Sequence, residues 1–152
     1  MSQAIIGIGI PGSGKTTYLK PLAARMGLPY VSLDDIRQEL TGDAADHGQH
    51  ARTLAVFWQR IAAALVRGPG VVIDTTNSKA RDRREVLGFC RRHGVDDITG
   101  IWFDTPLEVC LGRNRGRDRQ VPEHALHRMQ ARLDAAPPTE SEGFDRLEVR
   151  HD

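Results

Sequence analysis

A chain of 152 residues, 39% of them hydrophobic and 27% charged, is long enough to enclose one core and too short for a second domain beside it. Its longest apolar run, Ala4 to Ile10 with the glycines counted, falls far short of the ~20 residues of a membrane-spanning helix, which excludes a helical membrane protein. No membrane contact and no signal peptide are expected. Net charge is only +1, yet residues 79–132 carry an excess of basic side chains and residues 133–152 an excess of acidic ones. Every basic residue except Lys15, Lys20 and Lys79 is arginine. A codon bias explains that count as well as a phosphate-rich ligand does, so only positions carry weight. Cys90 and Cys110 lack the spacing of a metal site or redox pair, and read as small buried hydrophobes suited to a reducing cytoplasm.

In chain order, Ala4 to Ile8 is a β-branched run suited to a strand buried on both faces. Gly9-Ile10-Pro11-Gly12-Ser13-Gly14-Lys15-Thr16 follows, filling every specified position of the phosphate-binding pattern G-x-x-x-x-G-K-[ST]. Thr16 to Met26 reads as a helix that Pro21 bends and Gly27 ends. Tyr30 to Leu33 is a short strand, and Asp34-Asp35-Ile36-Arg37 opens a helix that closes near Gly42. From about Gly48 to Arg67, Leu54, Phe57, Trp58, Ile61, Ala62 and Leu65 recur at helical spacing until Gly68-Pro69-Gly70 stops the pattern. A strand at Val71 to Asp74, a helix at about Ala80 to His93 and a strand at Ile98 to Phe103 come next. Thr105-Pro106-Leu107-Glu108 combines an N-cap Thr, a Pro at the first helical position and an early Glu, a helix start. After the Arg-rich stretch Arg113 to Arg119, Val121-Pro122-Glu123 opens a helix reaching about Ala135, and Leu147 to Arg150 is a last short strand. Alternating strands and helices predict a three-layer α/β/α fold with a central, mainly parallel sheet, and a phosphate-binding loop at its carboxyl edge.

The glycines of the loop let its backbone close into a nest of N–H groups around a phosphate, reinforced by the N-terminus of the following helix. Lys15 is placed to bridge the β- and γ-phosphates and the Thr16 hydroxyl to hold Mg²⁺. Asp34 and Arg37, at i, i+3 spacing, share one helix face. The carboxylate can take a proton from an acceptor hydroxyl and the guanidinium can hold an acceptor phosphate; the plain alternative is an N-cap and a solvated arginine. Asp74 ends the third strand, where a carboxylate orients Mg²⁺ or holds Lys15 and Thr16, unless it merely forms an Asx turn. Arg113 and Arg117 lie four apart beside Gly116, as in an arginine lid, or else simply complement a helix C-terminus.

Together, Gly9 to Thr17, Asp34-Asp35-Ile36-Arg37, Asp74-Thr75-Thr76-Asn77, and Arg113-Asn114-Arg115-Gly116-Arg117 with Val121-Pro122 make the chain resemble the kinase module of the polynucleotide 5′-kinase family. The likeness covers nearly the whole chain. It implies a P-loop kinase fold as one domain over 1–152, an Arg-rich helical lid over about 111–124, and ATP and Mg²⁺ as co-substrate and cofactor. It also implies transfer of the γ-phosphate to a 5′-hydroxyl end of DNA or RNA. Gly9, Pro11, Gly12, Ser13, Gly14, Lys15, Thr16, Thr17, Arg113 and Arg117 would bind the nucleotide, with Thr16 and Asp74 toward the metal. Lys15, Asp34 as general base, Arg37 on the acceptor's phosphate, Arg113 and Arg117 would serve the transfer. The family's lid can be one residue longer, which leaves Arg115 or Arg119 as alternatives to Arg117. The Asp-Thr-Thr-Asn block has one Thr more than some members, leaving the partner of Asp74 open. Any phosphatase or ligase acting with the chain is expected to be a separate polypeptide.

Two other functions fit the motifs: a kinase of a small metabolite or antibiotic hydroxyl, and a nucleotide-binding or hydrolysing module that transfers nothing. The aromatic residues Tyr18, Tyr30, Phe57, Trp58, Phe89, Trp102, Phe103 and Phe144 fall mostly on core-facing positions, which argues against a long base-stacking platform.

Overall fold

Two strands, Gln3–Ile8 (β1) and Gly70–Asp74 (β3), are apolar on both faces, and that double burial dictates the layers around them. The computed structural model describes residues 2–151; Met1 and Asp152, included in the expected domain, lie outside it. In chain order the remaining elements are Lys15–Met26 (α1), Tyr30–Ser32 (β2), Leu33–Thr41 (α2), His50–Arg67 (α3), Ala80–Arg92 (α4), Asp97–Phe103 (β4), Leu107–Arg115 (α5), Glu123–Ala135 (α6) and Arg146–Arg150 (β5). Short 3₁₀ turns occupy His47–Gln49 and Glu140–Glu142. The strands form one sheet in the order β2-β3-β1-β4-β5, and every neighbouring pair is parallel.

Alternation along the strands sorts the core into two clusters. Ile5, Val72, Ile101 and Phe103 pack with Leu19 and Ala23 of α1, whereas Ala4, Ile6, Val71 and Ile73 pack with Phe57 and Ile61 of α3, Val86 and Cys90 of α4, and Leu126 of α6. So β1 leads to a helix on one face and its neighbour β3 to a helix on the other. A crevice must open outside the carboxyl ends of these two strands, where the connections diverge. Two bonds hold its floor: the Gly9 N–H donates to the Thr76 carbonyl at 3.0 Å, and Asn77 Nδ2 donates to the Gly7 carbonyl at 3.0 Å.

Several local expectations are corrected. The helix foreseen from about Gly48 begins with a 3₁₀ turn, capped by the Asp46 side chain accepting from the Gly48 N–H at 2.8 Å, before α3 starts at His50. Pro21 lies on the exposed side of α1, which runs on to Met26; the Thr17 carbonyl, left without its intrahelical donor, faces solvent. Thr105 does not cap α5. Pro106 holds the cap position in an extended conformation, and the buried Thr105 hydroxyl donates instead to the Ser13 carbonyl at 2.9 Å. A buried carbonyl without a donor costs more than an uncapped helix end that water can reach.

Arg83 is the largest buried polar group, 1% exposed. Its Nε donates to both Glu142 oxygens at 3.0 and 3.1 Å, Nη1 to the Asn77 carbonyl at 3.0 Å and Nη2 to the Ala136 carbonyl at 2.7 Å. One guanidinium thereby ties α4 to the loop after β3 and to the segment after α6. Removing one partner of a buried ion pair strands the other, so Arg83→Ala is expected to destabilise the fold by about 3–5 kcal/mol. Urea unfolding checks this; a loss within about 0.5 kcal/mol, the range of ordinary surface changes, would contradict it.

Candidate active site

The loop between β1 and α1 is shaped by two left-handed glycines, Gly12 at φ 86° and Gly14 at φ 90°. A Cβ on Gly12 would lie 2.6 Å from the Cys110 carbonyl oxygen, so α5 packs directly on the loop there. Gly14 is the N-cap of α1, with no side-chain cap and no acidic residue in the first turn. The positive end of the helix is left for an incoming anion. Ser13 Oγ is buried without a protein partner. A cradle of this kind fits the phosphates of a nucleotide.

Asp74, 3% exposed, is the anchor beneath the loop. Lys15 Nζ lies 2.8 Å from its Oδ1, the Thr16 hydroxyl donates to Oδ2 at 2.9 Å, and the Tyr30 hydroxyl donates to the same Oδ2. Asp74 therefore forms no Asx turn; it holds Lys15 and Thr16, the last two residues of the phosphate-binding motif. Burial pushes its carboxyl up, but the Lys15 charge and the three hydrogen bonds outweigh that and hold it below the ordinary carboxylate value. Burial, with the Asp74 charge adding to it, raises the Tyr30 phenol well above its usual range. The donor set suits Mg²⁺, a hard cation that takes one or two protein oxygens and completes its shell with water and phosphate. Among the described residues no group of three or more His, Cys, Asp or Glu could hold a metal by itself.

Across the crevice, Arg37 on α2 is 4% exposed. Its Nη1 donates to Asp34 Oδ1 at 2.9 Å and to the Ala44 carbonyl at 3.2 Å, while its Nε is buried without a partner. The Asp34 side chain is 61% exposed. It is not the helix cap, because Ser32 Oγ takes that role by accepting from the Asp35 N–H. The alternative of a capping Asp34 and a solvated Arg37 thus gives way to an open carboxylate positioned by a buried guanidinium.

The third wall is the end of α5 and the turn into α6. Arg113 Nη1 donates to the Gly12 carbonyl at 3.1 Å. Arg115 points away, with Nε and Nη2 bound to Glu123 at 2.7 and 3.0 Å. Arg119 Nη1 reaches Gln38 of α2 at 3.3 Å. Arg113, Arg117 and Arg119 line the cleft, of about 1480 Å³, together with Gly12 to Thr17, Asp34, Arg37 and Asp74. Every residue foreseen for the site except Gly9 is on that wall; Gly9 supports the loop from beneath through its bond to Thr76. Of the lid alternatives, Arg119 lines the cleft with Arg117, whereas Arg115 is paired with Glu123 at the surface and is not among the lining residues.

Four contributors were given no role by the sequence, although Asn77 and Asn114 stand inside its motif blocks. Tyr30 secures Asp74, and Asn77, in a left-handed conformation at φ 51°, braces β1. Asn114 exchanges two hydrogen bonds with Val121, at 2.7 and 2.9 Å, which pins the two ends of the lid turn together. His47 lines the cleft beside Arg37, where burial first and then the Arg37 charge lower its pKa.

With the site described, the comparisons fall into place. The AAA domain family (AAA_33) matches residues 5–136. A shikimate kinase of Paramagnetospirillum magneticum is 27% identical over 128 residues, spanning 79% of this chain and 60% of its own. A protein of Acanthamoeba polyphaga mimivirus, named as a bifunctional polynucleotide phosphatase/kinase, is 26% identical over 115 residues, spanning 76% of this chain and 24% of its own. The chain thus covers under two thirds of either relative. Among solved structures, one chain of the Pnkp1/Rnl/Hen1 RNA repair complex superposes with a TM-score of 0.80 at 25% identity, over 95% of this chain and 46% of that one. A gluconokinase from Sinorhizobium meliloti, with a TM-score of 0.61 at 19% identity over 97% of this chain and 81% of that one, shares the fold.

Two predictions follow from this geometry. The depressed carboxyl of Asp74 contributes stability in full above its unfolded value, about pH 4, and loses it as pH falls through the lower folded value. The stability gap between wild type and Asp74→Asn, from urea unfolding, should stay level from neutral pH down to about 5 and shrink below about 4; a gap that widens on acidification would mean that burial outweighs the ion pair. For the lid, Arg113→Ala and Arg117→Ala should each lower turnover at least about 10²-fold while weakening nucleotide binding far less, and Arg115→Ala should change neither. Equal losses in rate and affinity would reduce the first two to ground-state binding residues.

Proposed function

The chain belongs to the AAA domain family (AAA_33), and from that premise we propose that it is an ATP-dependent polynucleotide kinase moving the γ-phosphate to a 5′-hydroxyl end of DNA or RNA. One observation carries this reading: Arg37, anchored by Asp34 and Ala44 and with its buried Nε left without a partner, is one of the residues that line the cleft together with the phosphate loop. A buried guanidinium with a spare donor is stable when an anionic ligand completes it, and the phosphate next to the reacting nucleotide is such a ligand. The 25% identity with a chain of the RNA repair complex, across nearly the whole fold, supports it.

In the transfer, Asp34 accepts the proton of the 5′-hydroxyl as its oxygen bonds to the γ-phosphorus and the bond to the β–γ bridging oxygen breaks, releasing ADP. Lys15 leaves Asp74 for the phosphates, and Arg113 and Arg117 neutralise charge on the moving group. Thr16, with Asp74 behind it, holds Mg²⁺, which when bound neutralises the donor phosphates. A phosphatase or ligase acting on the same ends is a natural partner.

A second reading is favoured by the shikimate kinase likeness: a small hydroxy acid, whose carboxylate satisfies Arg37 as a phosphate does.

The decisive assay supplies γ-labelled ATP, Mg²⁺ and, in separate reactions, 5′-hydroxyl oligonucleotides, a 3′-phosphorylated nucleoside and shikimate. Label should appear on the first two; label on shikimate alone would overturn the proposal in favour of the acid kinase, and label only in free phosphate would reduce the chain to an NTPase. Asp34→Asn should cut transfer roughly 10²–10⁴-fold with nucleotide binding nearly unchanged. Arg37→Lys keeps the charge beside Asp34 but loses the planar fork. It should raise KM for the 3′-phosphorylated acceptor and spare an acceptor with no phosphate.

A further inference from the structure

Next to the cleft, the surface between α3 and α4 carries three rings in a row. Trp58 lies against Phe89 with centroids 4.7 Å apart at 33°, and Phe89 against His93 at 4.2 Å and 21°. Phe57 meets Trp58 edge-on at 5.0 Å from the core side and steadies it. Trp58 and Phe89 are half-buried and His93 is exposed; a bond between His93 Nδ1 and the Phe89 carbonyl, 2.9 Å, fixes the last ring. Trp58 and Phe89 pack against the core, as expected of the aromatic residues, and leave part of each ring at the surface.

Charge accompanies the rings. A groove of about 580 Å³ is lined by Trp58, Phe89, Arg81, Arg84, Arg92 and Glu85. Arg81 is only loosely paired with Asp82, at 3.7 Å, and among the described residues Arg84 and Arg92 have no acidic partner within ion-pair distance. Trp58, Arg81 and Glu85 also line the active cleft, so the groove is its direct continuation.

We propose that Trp58, Phe89 and His93, flanked by Arg84 and Arg92, form a track for single-stranded nucleic acid that receives the acceptor strand behind its reacting 5′ end. The inference rests on the polynucleotide reading above and adds to it how the strand leaves the site. Phe89 is covered by Trp58 and His93, so the outer faces of Trp58 and His93, beside cations without an acidic partner, are what the row offers to unpaired bases and their phosphates, since every base has a π-face and every linkage a negative charge. A small acceptor would never reach the groove.

The test measures binding and transfer separately. Anisotropy of a 3′-labelled, 5′-hydroxyl oligothymidylate should give a Kd at least tenfold weaker for the double variant Arg84→Ala, Arg92→Ala, with the salt dependence (log Kd against log salt) flattened by about 1.4, two phosphate contacts at ~0.7 each. In a Trp102→Phe background, the oligonucleotide should quench the tryptophan emission that remains, that of Trp58, whereas a mononucleotide should not. The KM for oligonucleotide should rise in the double variant while that for a 3′-phosphorylated nucleoside stays put. An unchanged Kd, absent quenching, or competition by polyglutamate as strong as by oligothymidylate overturns the track. Transfer to nucleotides without any effect of Arg84 and Arg92 leaves the kinase standing and the track fallen. Weakened strand binding in a protein that phosphorylates no 5′-hydroxyl end leaves the track standing and the kinase fallen.

Discussion

The whole site hangs on one buried carboxylate. Asp74 ends β3 beside β1, nearly sealed from water, and receives Lys15 and Thr16 from α1 and Tyr30 from β2. An isolated charge at that depth would cost several kcal/mol, so the three donors are a condition of the fold at the end of the sheet. They also place the first turn of α1, and with it the open mouth of the phosphate loop. Charge compensation and site assembly are the same interaction here, because the Lys15, Thr16 and Tyr30 contacts that satisfy Asp74 also fix the first turn of α1 under the loop.

Much of this was legible along the chain, because the phosphate loop, the buried strands and the lid arginines are contiguous and carry their chemistry in their own spacing. Asp34 with Arg37 was equally readable as a helix-face pair. Tyr30 was not, since its hydroxyl meets a carboxylate 44 residues away and nothing local separates it from a strand aromatic. Thr105 shows the opposite failure. Its surroundings spell a helix cap, but a partner 92 residues earlier, the Ser13 carbonyl, takes the hydroxyl. Asn114 reads as one polar residue among arginines, and only the folded turn reveals that it replaces backbone pairing across the lid. The row of Trp58, Phe89 and His93 is built from two helices, and its continuity exists only once α3 lies against α4.

The likenesses to kinases of nucleic acid and of small acids at nearly equal identity have a physical reading. In this chain the phosphate-loop half of the cleft is built from the left-handed glycines of the loop, Lys15 and Thr16 on Asp74, and the Arg113 contact to the Gly12 carbonyl. That half is satisfied by backbone and by short-range side chains, and it leaves the acceptor half free to diverge.

Arg37 alone does not choose an acceptor, because a carboxylate completes a guanidinium fork as well as a phosphate does. The extent of the cleft adds to what Arg37 suggests for the proposed acceptor. A small acid needs one cation and a closed pocket, yet the cleft continues past Arg37 and His47 to Trp58 and Arg81 and into a second groove where Arg84 and Arg92 stand unpaired. Arg84 and Arg92 are exposed and keep their hydration, so their charges stay available beside the half-buried rings. Such a surface is stabilised by a ligand that brings both π-faces and repeated negative charge. A strand of nucleotides would bring both, so on the proposed reading the cationic and aromatic surface beyond the reacting centre, rather than the centre itself, separates a nucleic-acid acceptor from a small acid.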